Sequence, residues 1–118
     1  VGMNNLEFIR TEMGLSKKDI ASLLNVTAHT YYGYEKARLE VPKPIWVMLS
    51  KIFDISIQEL KTDLSLQSRD KIYFMKRMPL KMKINKMIFN LSGENLYRLN
   101  YNQISKIKDP LIKVNRKN

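Results

Sequence analysis

The residues whose side chains could serve a chemical function lie between positions 17 and 43, and their chemistry is suited to binding an anion. The candidate binding residues are cationic, hydrogen-bonding or small: Lys17, Thr27, Ala28, His29, Tyr32, Gly33, Lys36, Arg38 and Lys43. Lysine and arginine side chains are common ligands of phosphate oxygens. His29 and Tyr32 offer polar and apolar groups that suit base edges, sugars or a thymine methyl group. The segment therefore predicts a surface for a phosphate-rich polymer.

Other kinds of site are not expected in this 118-residue chain. It has one histidine and no cysteine, so no residues could complete a metal site around His29. It also has no clustered carboxylate pair, no nucleophile motif and no glycine-rich phosphate loop. We therefore expect no enzyme activity, no metal and no cofactor.

The first element that must position these residues is a short helix beginning after Ser16. Ser16 is a favourable N-cap, and Asp19 three residues later completes a capping box. Ile20 and Leu24 are four residues apart, so they share one face and can enter a core. Asn25 tolerates the left-handed conformation, which predicts the end of this helix and a tight turn.

A second short helix is expected after the turn, with Thr27 as its N-cap. Tyr31 and Tyr34 would point inward. The residues predicted to face outward are Ala28, His29, Tyr32 and Gly33. Two crossed helices that leave one polar face exposed form a helix-turn-helix, a shape that fits the major groove of DNA.

Roughly residues 4–62 resemble the Cro/cI-type (XRE, lambda-repressor-like) helix-turn-helix regulators. The likeness runs without a gap through Ser16 to Lys36. Upstream, Leu6, Ile9 and Arg10 followed by Gly14 resemble the first helix of the family and its exit. Downstream, residues 42–60 resemble its fourth and fifth helices, and Ser56 to Glu59 would open the fifth as a second capping box.

The resemblance implies a five-helix, DNA-binding domain at residues 3–62. It also implies an ion pair between Arg10 and Glu35 that ties the first helix to the recognition helix, residues 27–35. By the same likeness the protein is expected to be a sequence-specific regulator of transcription, a repressor, that binds double-stranded DNA as a homodimer. Tyr31, Tyr34, Trp46 and Phe53 are expected in the core.

Several positions depart from the family pattern. Lys17 stands where the family usually has glutamine, and Asn25 and Ala37 stand where it usually has glycine. Gly33 occupies a position that commonly carries a DNA-contacting side chain. A recognition face with both Gly33 and Ala28 has few groups for bidentate base contacts, so we expect modest specificity or reading of DNA shape.

The net charge of +10 divides the chain into two parts. Residues 1–63 hold eight basic and eight acidic residues, whereas residues 64–118 hold 13 basic and three acidic ones. The excess charge therefore belongs to the part that the family resemblance does not cover. We expect a linker at residues 63–69 and a basic, helical extension at residues 70–118.

Helical periodicity extends through much of this extension. Residues 69–78 would form a helix ended by Pro79. A helical stripe follows: Leu80, Ile84, Met87, Ile88 and Leu91. Between residues 80 and 84 apolar residues also alternate with lysines, and this alternation is equally typical of a strand. Ser92 would cap a last helix that carries apolar residues from 96 to 107.

The extension has more than one possible role. It could mediate dimerisation together with the fifth helix, contact flanking phosphates, or bind a partner protein as antitoxins do. Four methionines suit an adaptable surface, although this spacing is also typical of a core. Binding to a membrane surface is an unfavoured alternative. No long apolar run or signal-peptide pattern is found, and a cytoplasmic protein is expected.

Overall fold

The computed structural model describes residues 3–92, which contain seven α-helices and no strand. The helices are α1 (Leu6–Glu12), α2 (Lys17–Leu24), α3 (Ala28–Glu35), α4 (Lys43–Phe53), α5 (Ile57–Lys61), α6 (Leu66–Lys76) and α7 (Leu80–Ser92). The all-α prediction is confirmed, and five helices precede residue 62 as expected. The last helix predicted in the extension, beyond Ser92, lies outside the described residues.

One apolar core joins all seven helices. Each helix contributes at least one buried apolar side chain to it: Leu6, Ile20, Tyr31, Leu49, Leu60, Ile72 and Met87. Full burial of such a side chain stabilises the fold by roughly 1.5–3 kcal/mol. The two helices after residue 62 therefore share the core of the first five.

The linker predicted at residues 63–69 is shorter than expected. Ser65 caps α6 by accepting a hydrogen bond from the backbone N–H of Ser68, and the helix begins at Leu66. Residues 66–69 are thus helical, because the serine that looked like part of a polar linker is an N-cap. Helix α6 ends at Lys76, two residues before the predicted end ahead of Pro79.

The alternation between residues 80 and 84 does not produce a strand. Residues 80–92 are helical, with Met87 fully buried and Ile84, Ile88 and Leu91 half-buried. Leu80, expected in the same stripe, is 53% exposed at the start of the helix. Helix α7 packs on α4, while α6 packs on α1. No helix in residues 3–92 has both the length and the apolar character needed to cross a membrane.

The second predicted capping box is only half present. The Ser56 hydroxyl accepts from the backbone N–H of Glu59 at 3.2 Å, as expected. The Glu59 carboxylate accepts from the Ser56 hydroxyl at 3.4 Å and from the backbone N–H of Ser65 at 2.7 Å, instead of from the Ser56 backbone N–H that would complete the box. This backbone hydrogen bond, helped by serine hydroxyls, lowers the pKa of Glu59 to about 2. Glu59 therefore links the end of the five-helix region to the N-cap of α6.

A buried lysine joins α7 to the C-terminal end of α1. Lys83 is 6% exposed, and its ammonium group donates to the backbone carbonyl of Met13 just after α1. The carbonyl groups at the end of a helix lack partners within the helix and attract cations. The same ammonium lies beside Gly14, which has a φ of +76°; a Cβ atom there would lie 2.8 Å from it. Lys83 thus secures the turn between α1 and α2.

Candidate nucleic-acid interface

The helix-turn-helix is formed by α2, the turn at Asn25 and α3. Ser16 and Asp19 make both hydrogen bonds of the predicted capping box, at 3.1 and 3.0 Å. Asn25 has φ 59° and ψ 43°, the left-handed conformation that ends α2. The Thr27 hydroxyl accepts from the backbone N–H of Thr30 at 3.0 Å and begins α3. These expectations from local sequence are confirmed.

A buried ion pair holds α3 against α1. The Arg10 guanidinium donates from Nε and Nη2 to the two carboxylate oxygens of Glu35, the second at 3.1 Å. Its Nη1 donates to the carbonyl of Leu15 at 2.8 Å. Both residues are 7% exposed, and the hydrogen bonds to Glu35 raise the pKa of Arg10. The ion pair implied by the family resemblance is confirmed, and it also anchors the turn that leads into α2.

Two tyrosines form the inward face of α3. Tyr31 is fully buried and Tyr34 is 6% exposed, with their rings edge to face and their centroids 6.5 Å apart. Burial raises the pKa of Tyr31 far above its usual value, and the nearby Glu35 carboxylate acts in the same direction. Tyr31 and Tyr34 are therefore core residues, as predicted, and they fix the orientation of the opposite face.

On that opposite face, three cations surround the ring of Tyr32. The distances to the ring centroid are 4.7 Å for the Lys17 ammonium, 5.6 Å for that of Lys36 and 5.7 Å for the Arg38 guanidinium. Aromatic rings attract cations at such distances. The structure thus gathers four of the predicted binding residues, from α2, α3 and the loop after α3. We call these four residues the Tyr32 cluster.

One cation of the Tyr32 cluster already has a carboxylate partner. The Lys36 ammonium lies 3.0 and 3.3 Å from the two carboxylate oxygens of Glu7, on the exposed side of α1. This hydrogen-bonded pair lowers the pKa of Glu7 and raises that of Lys36. Glu7 is not predictable from the sequence, because the pairing joins residues 29 positions apart and has no local pattern.

Gly33 is not on the exposed face where it was predicted. It is buried, because the loop after α3 folds back over it. The backbone N–H groups of Arg38 and Leu39 both donate to the Gly33 carbonyl, at 2.9 and 3.2 Å. A Cβ atom at Gly33 would lie 2.7 Å from Cδ1 of Leu39. Glycine therefore fits beneath Leu39 without displacing that half-exposed side chain.

The loop that covers Gly33 contains a left-handed residue. Ala37 has a φ of +56°, which is unfavourable for alanine and agrees with the glycine that the related family usually has there. A residue in this conformation raises the conformational energy by roughly 1–3 kcal/mol. The turn brings Arg38 back towards the Tyr32 ring, so the strained residue helps to position a candidate binding residue.

The other predicted binding residues are spread around the cluster. His29 is exposed and Ala28 is half-exposed in the first turn of α3, while the Thr27 side chain is occupied by capping. Lys43 begins α4 and lines a different surface, a cleft of about 580 Å³. Trp46 lines the same cleft, with the Lys61 ammonium 5.2 Å from its ring. Trp46 is half-buried: it packs against the core, as predicted, and its remaining surface faces this cleft.

Helix α3 has a buried inner face, which is fixed by packing, and an exposed outer face, which is surrounded by cations. Buried tyrosines and an ion pair fix α3 from inside. Outside, cations flank an aromatic ring beside an exposed imidazole. This combination suits contacts to phosphates at the ends of α3 and to bases along its first turns. No group of three His, Asp or Glu side chains in residues 3–92 is arranged to hold a metal ion.

Comparison with protein families agrees with this geometry. Residues 6–60 match the family model described as Helix-turn-helix. The chain matches no curated protein and no solved structure. The matched segment begins with α1 and ends in α5, and α6 and α7 fall outside it. Residues 6–60 are therefore a DNA-binding helix-turn-helix domain of the Cro/cI type.

Proposed function

We propose that this protein is a transcriptional repressor that recognises a specific sequence in double-stranded DNA. The observation that carries the proposal is the Tyr32 cluster, in which three cations converge on the outer face of α3. The first turn of the same helix is free of apolar cover and exposes His29. Cations beside a free helix face are what a major-groove reader requires.

In this proposal α3 enters the major groove with its N-terminal half facing the bases. Lys17, Lys36 and Arg38 contact phosphates, because all three cations lie around the Tyr32 ring beside α3. His29 and Ala28 contact base edges, and Tyr32 contacts a sugar or a thymine methyl group. Thr27 adds a contact to the DNA backbone, and Lys43 is left out because it lines the cleft beside Trp46. Gly33 is left out of the reading face, since Leu39 covers it.

The short reading face limits how much sequence can be recognised directly. Ala28 has no polar side-chain atom, and His29 is the one exposed imidazole in the chain. Bidentate pairs discriminate by roughly 1–3 kcal/mol each, and this face has no arginine, asparagine or glutamine for them. We therefore expect modest discrimination, with a contribution from DNA shape.

A gel-shift experiment with fragments of the gene's own promoter region tests the proposal. We expect the wild type to prefer one fragment over an unrelated duplex, and His29→Ala/Tyr32→Ala to lose that preference. Lys51→Ala is the control, because Lys51 is exposed at the far end of α4. Equal binding of every duplex by the wild type and the double variant would contradict the specific-reader proposal.

We propose further that the protein binds DNA in the cytoplasm as a homodimer. Two copies on a two-fold operator would place their recognition helices about one DNA turn apart, roughly 34 Å. The surfaces available are α5 and the outer side of the extension, where Tyr73, Phe74 and Leu80 are each more than half exposed. Light scattering should give a dimer at tens of micromolar. A monomer with and without operator DNA would argue against it.

The same exposed residues also favour a second candidate function, in which the extension binds a partner protein as antitoxins do. Large apolar side chains are concentrated on α6 and α7, and Leu66 is 82% exposed. Exposed apolar surface of this kind marks interaction sites. Co-purification from native cells separates the two functions: a stoichiometric partner lost in Phe74→Ser supports the second, and recovery of this chain alone supports the homodimer.

A further inference from the structure

The Tyr32 cluster contains three cations, and one of them, Lys36, already forms an ion pair with a carboxylate. Lys36 at the end of α3 forms a two-oxygen contact with Glu7 of α1. Lys17 and Arg38 have no ion pair within residues 3–92. The charge that α3 presents beside Tyr32 is therefore lower than its three cations suggest.

The Glu7–Lys36 pair is accessible to solvent and to a ligand. The Glu7 side chain is 48% exposed and the Lys36 side chain 35%. Exposed ion pairs are weak and exchange partners easily. A phosphate that approaches Lys36 must either displace Glu7 or remain close to its negative charge. Both alternatives oppose phosphate binding.

We infer that Glu7 acts as an electrostatic brake on DNA binding, by competing with the phosphate backbone for Lys36. This inference rests on the proposed function and adds a regulatory element to the same site. The brake acts on every sequence, because Lys36 would contact phosphate and carries no base readout. Without the Glu7 carboxylate, the protein would bind non-specific DNA more tightly.

The test is Glu7→Gln, which keeps the size of the side chain and removes its charge. We expect about two- to fivefold tighter binding to any duplex at low salt, the range of an exposed ion pair. The line of log K against log salt should steepen by up to about 0.9, because one more lysine then releases a counterion. The ratio between preferred and unrelated duplexes should stay unchanged.

Glu12→Gln is the matched control. Glu12 is on the same helix, is exposed to a similar degree and lies 4.0 Å from Lys76 of α6. The substitution Glu12→Gln also removes one negative charge, but Glu12 does not contact the Tyr32 cluster. We expect less than a twofold change in affinity. An equal gain from both variants would mean that net charge alone is responsible, and would overturn the inference.

The route of the effect is tested with Lys36→Met. If Glu7 acts through Lys36, the gain from Glu7→Gln disappears when Lys36 is methionine. A gain that persists there would show direct repulsion of DNA by Glu7 and would overturn the brake. These measurements use any duplex, so they remain decisive even if the His29→Ala/Tyr32→Ala experiment shows that specific reading is absent.

Discussion

Within residues 3–92, the helix-turn-helix domain and the extension each bury one cation, and the two cations have different partners. Arg10 in the domain is paired with the Glu35 carboxylate. Lys83 in the extension contacts a backbone carbonyl and has no carboxylate partner within residues 3–92. Both reach the same turn after α1, Arg10 at Leu15 and Lys83 at Met13. The buried cation of the domain is therefore neutralised by a carboxylate, whereas the buried cation of the extension is held by a backbone carbonyl.

The largest effect that should sharpen this contrast comes from removing each cation in turn. Arg10→Met leaves Glu35 buried without its counter-charge, which should lower the free energy of unfolding by about 3–5 kcal/mol. Lys83→Met leaves only one carbonyl without a partner and removes a buried charge. It should therefore cost less than about 2 kcal/mol. Urea unfolding of both variants provides the measurement.

A double variant controls for the loss of packing at Arg10. Arg10→Met/Glu35→Leu removes both charges, and it should be more stable than Arg10→Met alone, because no uncompensated carboxylate remains. If Lys83→Met proved as damaging as Arg10→Met, the contrast between the two regions would be wrong. Lys83 would then depend on a buried counter-charge.

The next effect concerns whether the two regions unfold together. Met87 of α7 is fully buried, so Met87→Ala should destabilise the protein by about 2–5 kcal/mol. Trp46 in α4, the single tryptophan, reports unfolding of the domain by fluorescence. We expect its transition to shift with the mutation, because α7 packs on α4. An unshifted Trp46 transition would break the comparison by showing two independent units.

Met82→Ala is the control for this experiment. Met82 is in the same helix but is 42% exposed, and surface substitutions usually change stability by less than about 0.5 kcal/mol. Truncation near residue 63 is a poor test of the role of the extension, because the extension shares its core with the domain. It would remove Ile72, Met75 and Met87 from the shared core.

The charge of the extension can instead be tested in the full chain. Arg69, Lys81 and Lys86 are exposed. If they contact flanking phosphates, changing all three to glutamine should flatten the line of log K against log salt by up to about 2.7. The preference among sequences should survive, because base readout is assigned to α3. An unchanged slope would restrict the extension to dimerisation or partner binding.

The smallest effect concerns the junction between the regions, and it depends on pH. Glu59 has its pKa lowered to about 2 by the Ser65 N–H, against a usual value of 4.5. A lowered folded-state pKa stabilises the protein above pH 4.5, and this stabilisation is lost as the pH falls towards 2. Glu59→Gln should remove that part of the acid dependence in thermal unfolding scans. The same dependence in Glu59→Gln would show that other carboxylates cause it.

Features set by neighbours in sequence were predictable. Ser16, Asn25 and Thr27 act through residues within four positions, so their cap and turn roles follow from residue type and spacing. The Arg10–Glu35 pair spans 25 positions and came from the family resemblance. For the extension, helical periodicity correctly located α7, although its first apolar residue is exposed.

Features set by distant parts of the chain were not predictable. Gly33 looks exposed from its helical position, and only the path of the loop shows that Leu39 covers it. Glu59 had two possible partners and took Ser65 instead of completing its box. Lys83 resembles any surface lysine in sequence, because burial of its ammonium depends on a carbonyl 70 residues away. Side-chain partners of this kind are decided by tertiary packing.

That long separation also has a consequence for synthesis of the chain. At roughly 5–20 residues per second, a ribosome needs ~4–14 s to proceed from Met13 to Lys83. During this interval the carbonyl after α1 and the face of α4 that α7 later covers remain exposed on the nascent chain. The DNA-binding helices can therefore form well before their packing is complete. A nascent domain in that state is open to chaperones and to proteases until α7 emerges.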